Sequence, residues 1–150
     1  MKKIKDLRII IVMLLCVFTY SSCGDNDDTP INLNTILGTW HSYKMVGYAQ
    51  GEKVSMDISK TGNGSEAYIE ITFYNNGQYI GHAWETDENG VSRWSEEKGT
   101  YTIKDNIVTI FTDDTISTLT YDEKEKALYI RGSMNYPEIG NVTIFIYLRK

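Results

Sequence analysis

Between residues 99 and 132 apolar and polar residues alternate in short runs, broken by turns rich in Asp and Asn. A period of two marks β-strands with one buried face, and the breaks mark hairpins. With Asp105-Asn106 as a two-residue turn, Ile103 faces Val108 and Tyr101 faces Ile110. With Asp113-Asp114 at the next turn, Val108 faces Leu119. With Lys124-Glu125 at the tip of the third, Leu119 faces Ile130 and Tyr121 faces Leu128. One face then collects Tyr101, Ile103, Val108, Ile110, Leu119, Tyr121, Leu128 and Ile130. The other collects Thr100, Thr102, Thr109, Thr118, Thr120 and Arg131, with Phe111 and Ile116 as exceptions. A slip of one residue in any pairing destroys this sorting, so the pattern specifies the register.

Upstream, residues 67–74 alternate with Ile69, Ile71 and Phe73 on one side, and Asn75-Asn76-Gly77 turns the chain. A two-residue Asn76-Gly77 loop would pair Phe73 with Ile80 and send His82 and Trp84 inward. A three-residue loop with a left-handed Gly77 pairs Phe73 with Tyr79, so that Tyr79, Gly81 and Ala83 face inward. The second is preferred because it keeps His82 in water. A helical turn at residues 34–37 leads into a first strand ending near Tyr48, and the last strand, residues 142–149, places Ile144, Ile146 and Leu148 on one face. Residues 50–66 leave room for one further strand. No long segment has the 3.6-residue period of a helix. The expected fold is all-β, an antiparallel up-and-down meander of about eight strands closed into a barrel, which leaves no exposed edge.

The N-terminus has a different pattern. Lys2, Lys3, Lys5 and Arg8 precede an apolar run from Ile9 to Phe18, then Thr19, Tyr20, Ser21, Ser22 and Cys23. A basic flank, an apolar stretch and small residues before a cut site form an export signal. The run is shorter than the roughly 20 residues of a membrane span, and Tyr20 is misplaced for an ordinary cleavage site. Ser21-Ser22-Cys23 resembles the lipobox of bacterial lipoproteins, in which the cysteine is acylated, for instance with palmitate, and becomes the first residue. Residues 1–22 are then a lipoprotein signal peptide, residues 23–34 a flexible acidic tether starting at the acylated Cys23, and residues 35–150 the folded domain. The tether holds the domain roughly 20 Å from the bilayer. The expected location is the outer membrane, with attachment by lipid. The acidic cluster of residues 25–28 resembles signals that carry some such proteins to the cell surface, and serves equally as a solvated spacer.

Charge narrows the partners. The formal net charge is −5, and removing residues 1–22 takes away four basic groups and Asp6, giving −5 − (4 − 1) = −8. A chain this acidic is a poor nucleic-acid binder, and anionic headgroups repel it, so membrane contact falls to the lipid. Cys16 leaves with the signal and Cys23 is acylated, which excludes disulfides and thiolate chemistry from the mature domain.

Catalytic chemistry is sparse. The chain has two histidines, His41 and His82, without a clear third ligand, so no metal is expected. No Gly-x-Ser-x-Gly elbow and no phosphate-binding loop occur, and no cofactor is implied. Glu85, Asp87, Glu96 and Glu97 flank a loop at residues 87–90. A pair of them could serve a glycosidase, but charged hairpin flanks account for them as well. The expectation is a protein that is not an enzyme. Aromatics are the stronger lead, with eleven tyrosines and three tryptophans.

Gly38-Thr39-Trp40 at the first strand is similar to the Gly-x-Trp of lipocalins. Phe73, Gly77 and Tyr79 in their spacing, followed by Gly99-Thr-Tyr-Thr-Ile-x-Asp-Asn106, resemble the lipocalin-like domain of bacterial lipoproteins. The resemblance implies passive binding of a small hydrophobic or glycan-like molecule inside the barrel. The candidate ligand-binding residues are Trp40, Phe73, Tyr79, Trp84, Trp94, Tyr101 and Tyr121. It also implies that Trp40 plugs one barrel end with Arg149 packed on it as a cation–π pair. The chain departs from the family in the order of Thr120-Tyr121-Asp122 and in lacking a disulfide. The alternative is a filled barrel that docks an envelope protein through outward tyrosines such as Tyr68, Tyr74, Tyr129 and Tyr147. An interior cavity of about 300 Å³ separates the two readings.

Overall fold

The computed structural model describes residues 31–59, 68–86, 91–136 and 140–150. Cys23, the signal segment, most of the tether and residues 87–90 lie outside them. A single helical turn, α1 (Leu33–Ile36), precedes nine strands among the described residues: β1 (Gly38–Ala49), β2 (Glu52–Asp57), β3 (Ile69–Phe73), β4 (Gln78–Thr86), β5 (Ser92–Lys104), β6 (Ile107–Phe111), β7 (Ile116–Asp122), β8 (Ala127–Tyr136) and β9 (Gly140–Arg149).

β1 closes the sheet. Its first residues pair with β3, from Gly38 opposite Phe73 to His41 opposite Glu70. Its second half pairs with β2, from Lys44 opposite Asp57 to Ala49 opposite Glu52. Along its other side it pairs with β9 from His41 to Ala49. β2 and β3 thus share one position beside β1, and the remaining strands follow in chain order, giving an eight-stranded antiparallel up-and-down barrel. The extra strand expected within residues 50–66 is β2. All six of its residues are exposed.

The expected registers appear where the alternation is strongest. Ile103 pairs with Val108, Tyr101 with Ile110, Val108 with Leu119 and Tyr121 with Leu128. Phe73 pairs with Tyr79, and Gly77 has φ +80°, so the loop is the three-residue one. Leu119 and Ile130, however, are not partners. The β7–β8 ladder stops at Thr120 opposite Tyr129, because β8 follows β9 along its whole length while short β7 stays with β6.

One barrel end is filled. Ile36, Trp40, Phe73, Tyr101, Val108, Tyr121, Leu128 and Leu148 pack into one cluster. Trp40 Nε1 donates to the Ile36 carbonyl at 2.8 Å, tying α1 to the first strand, and its ring meets Tyr121 edge-on at 6.2 Å. Ile31, assigned above to the tether, packs on this cluster and donates its N–H to the Asp105 carbonyl. The cation–π pair expected between Trp40 and Arg149 needs correction. β9 turns Leu148 inward and Arg149 outward, so the guanidinium lies 4.7 Å over the ring of Tyr43. Lys150, one residue on, places its Nζ 5.3 Å over Trp40 instead.

Between Ser42 and Lys44 the β1–β9 ladder shifts by one residue. Such a bulge reverses the alternation of the bulged strand relative to its partner. Below it Trp40 and Ser42 face in; above it Met45 and Gly47 do, opposite Ile146 and Ile144.

Gly99 marks where β5 leaves β4 for β6. A Cβ there would sit 1.9 Å from the Phe111 carbonyl oxygen and 2.8 Å from the Tyr79 ring. Backbone cannot yield that distance cheaply, so Gly99→Ala should destabilise the fold by about 1–3 kcal/mol, the usual cost of overpacking. Urea denaturation against wild type measures it, with Gly47→Ala, where a Cβ meets nothing within 4 Å, as the tolerated control.

Candidate functional site

Above the filled end the interior is not filled. A cavity of about 290 Å³ lies between β3, β4, β5 and the β6–β8 wall. Its apolar lining is Ile69, Ile71, Gly81, Ala83, Ile110, Leu119, Ile130 and Ile146; Tyr79, Ser95, Glu97 and Ser117 line it from inward positions, and His82, Glu96 and Thr118 border it from outward ones. The wall is low on one side. β6 and β7 are short, so the ladder joins β5 to β6 only over Thr100–Lys104 and β7 to β8 only at three pairs. The upper parts of β5 and β8 flank that gap, and Ser95, Glu97, Ser117 and Ile130 line the cavity beside it.

Glu97 is the unusual member. Tyr101 and Gly99 face in, and two residues further back on the same face of β5 stands Glu97, opposite Gly81. The Tyr79 ring lies over Gly81 and against Gly99, in the space that a side chain at Gly99 would need, and its hydroxyl donates to a Glu97 oxygen. Tyr79 is 1 % exposed. Burial first, then the hydrogen bond and the charge of Glu97, push the Tyr79 phenol far above its ordinary 10.0. It therefore stays a donor. Among the described residues no cation pairs with Glu97.

Its chain neighbour is treated differently. Glu96 faces outward, with Lys98 Nζ at 2.7 Å and His82 Nε2 at 3.2 Å. The hydrogen bond from Lys98, then that from His82, holds its carboxyl below the ordinary range. Glu96 also ends a row that the register assembles across four strands: His41, Glu70, His82 and Glu96 lie side by side on the outer face. His41 Nδ1 stands 3.2 Å and His82 Nδ1 3.9 Å from Glu70. Among the described residues no three His, Cys, Asp or Glu side chains are placed to hold a metal. The carboxylates Glu96 and Glu97 point to opposite faces and cannot act on one bond.

Of the seven candidate binding residues, the structure brings one to the cavity, Tyr79. Trp40, Phe73, Tyr101 and Tyr121 are buried in the filled end. Trp84 and Trp94 form a cross-strand pair, edge-on at 5.3 Å, on the outer side of β4 and β5, and Tyr68 meets Trp94 at 5.7 Å. Tyr68 is not an outward surface residue. It is 7 % exposed, packs with Ile58, Ile144 and Ile146, and its hydroxyl lies 2.8 Å from His41 Nδ1. Tyr129 and Tyr147 stand outward but lean on each other and on Phe145, with Lys44 and Arg131 over the rings. The cavity-lining residues that the sequence reading did not assign to binding are Ser95, Glu97 and Ser117. Counting back by twos from inward Tyr101 finds the first two.

A family model described as lipocalin-like domain matches residues 36–130. The chain belongs to the lipocalin-like family. The match ends within β8, so β9, which closes this lipocalin-like barrel onto β1, lies beyond it. No curated protein matches the chain in sequence. Similar solved structures include the odorant-binding protein OBP1, 10% identical over 81% of this chain and 75% of that one, with a TM-score of 0.43. Lobster apocrustacyanin A1 is 12% identical over 79% of this chain and 63% of that one, at 0.40. The zebrafish ileal bile acid-binding protein complexed with cholic acid is 13% identical over 77% and 98%, at 0.31.

Tyr79 gives the lipocalin-like domain a stated alkaline response. Its folded pKa is raised above the unfolded value, so its contribution is whole below pH 10 and is lost as pH rises toward the folded pKa. Tyr79→Phe should cost about 1–3 kcal/mol at pH 7, since Glu97 loses its donor. Between pH 10 and 12 the variant should lose stability less steeply than wild type, as urea titrations across that range would show.

Proposed function

We propose that this protein is a non-catalytic carrier, taking up one small, largely apolar molecule in the interior cavity. The observation that carries this reading is the cavity itself. At about 290 Å³, it reaches the lower end of small-molecule sites, and like them it combines apolar walls with a few placed polar groups. Membership of the lipocalin-like family supports the same reading. Burying a ligand's apolar surface supplies about 25 cal/mol per Å² before the costs of association. The mostly aliphatic inward rows favour a hydrophobic guest over a glycan. A docked envelope protein is less favoured, because Tyr68 is buried and Tyr129 and Tyr147 lean on each other, which leaves Tyr74 as the exposed one of the four.

We further propose that Cys23 is acylated and tethers the barrel to the outer membrane, with the cavity facing the aqueous side. The Ser21-Ser22-Cys23 motif after a basic and apolar leader supports this. Dual or triple acylation suffices for firm attachment where one chain is marginal.

Two measurements test these proposals. An environment-sensitive apolar probe should bind with one-to-one stoichiometry and quench tryptophan fluorescence. Ala83→Phe, which fills the cavity from β4, should weaken it at least about tenfold, or 1.4 kcal/mol, with an unchanged β-sheet spectrum; failure of every apolar probe to bind wild type would retire the carrier reading. For the anchor, Cys23→Ser should abolish incorporation of a labelled fatty acid and release the protein from the membrane fraction. A fully labelled serine variant would refute acylation at this residue.

A further inference from the structure

Glu97 contributes a carboxylate to a cavity whose other walls are mostly aliphatic. One oxygen is held by the Tyr79 hydroxyl, which stays a donor throughout the physiological range. The other oxygen has no hydrogen-bond or ionic partner among the described residues, and the side chain lines the cavity. The adjacent Glu96 is matched by Lys98 and His82 on the outside, so the same strand neutralises one carboxylate and leaves the other facing the interior. A carboxylate beside apolar surface is costly unless something pairs with it.

We infer that the molecule bound here carries a cationic amine head joined to a short apolar body, with the amine on the free oxygen of Glu97. This rests on the carrier reading above and narrows it to a ligand class. A charge-assisted N–H···O bond is about twice as strong as a neutral one, and an ammonium offers three donors. Ser95 lines the same cavity, and its hydroxyl oxygen is a further acceptor for the remaining donors. Ser95 spends its proton on the Ala83 carbonyl at 3.3 Å, which leaves its oxygen lone pairs free to accept. The aliphatic residues Ile69, Ile71, Leu119 and Ile146 take the apolar body. The arrangement also selects against anionic amphiphiles, because a fatty carboxylate would set like charge against Glu97. The formal net charge of −5 adds a field that attracts cations to the barrel.

Calorimetric titration of the full chain with octylamine, 1-octanol and octanoate, matched in chain length, tests the inference. At pH 7 octylamine should bind at least about tenfold tighter than octanol, in line with a charged hydrogen bond, and octanoate should bind weakest. In Glu97→Gln, whose amide oxygen can still accept from Tyr79, the advantage of octylamine over octanol should disappear. The comparison among probes on wild type needs no variant, so a misfolded Glu97→Gln would not spoil it. Equal binding of octylamine and octanol, or a preference for the amine that survives Glu97→Gln, would overturn the inference and leave the carrier reading standing. No binding of any of the three would overturn both.

Discussion

The structure depends on one constraint, a pleated sheet that closes on itself. Once β1 pairs with β9 on one side and with β3 on the other, every residue of every strand must face either the interior or the solvent. The chain spends its largest side chains on one end of that interior, where Trp40, Phe73, Tyr101 and Tyr121 interlock. The other end of the inward rows is built from smaller residues: Gly81, Ala83, Ser95 and Ser117. The hollow is the direct result of that gradient in side-chain size along otherwise similar strands. The short β6–β7 hairpin then leaves the wall low on the same side.

Much of this was legible in the sequence. The meander of residues 99–132 sorts its side chains so cleanly that only one register buries the apolar set, and the structure has that register except for the Leu119–Ile130 pair. The Tyr79 pairing followed from preferring the register that keeps His82 in water, and a left-handed Gly77 supplies its loop. What escaped was anything set by strand length rather than by alternation. The parting of β7 from β8 depends on how far each strand runs beside its other neighbour, which a local pattern does not encode. The aromatic candidates were chosen by type, and all but Tyr79 lie away from the cavity, because large rings in a small barrel are what fill it. The cavity is marked instead by a charged residue at an inward position. Glu97 falls on the inward count from Tyr101, yet it reads as one more hairpin carboxylate beside Glu96. The Arg149 contact failed by one residue for a related reason, since alternation sends that side chain to the face opposite Trp40.

Tyr79 links the two halves of the interior. Its ring belongs to the packed end, while its hydroxyl reaches the Glu97 carboxylate at the cavity wall. Gly99 makes room for that ring, since a Cβ there would sit 2.8 Å from it, and it also lets the Phe111 backbone come close. Packing in the filled end therefore sets the position of the one charged group in the open end. A site supported in this way is held by the scaffold rather than by a loop, which favours a preformed pocket over one shaped by its guest.

The one-residue shift at Tyr43 has a consequence for comparing this chain with its relatives. Below it, the even-numbered Trp40 and Ser42 face the interior; above it, the odd-numbered Met45 and Gly47 do, although Val46 between them is buried as well. A homologue lacking that single residue, if aligned without a gap, would seem to carry Lys44 and Tyr48 in its core and Met45 on its surface. Where such a chain shows its apolar and polar residues exchanged beyond this point, the difference to look for is one missing amino acid, not a different architecture.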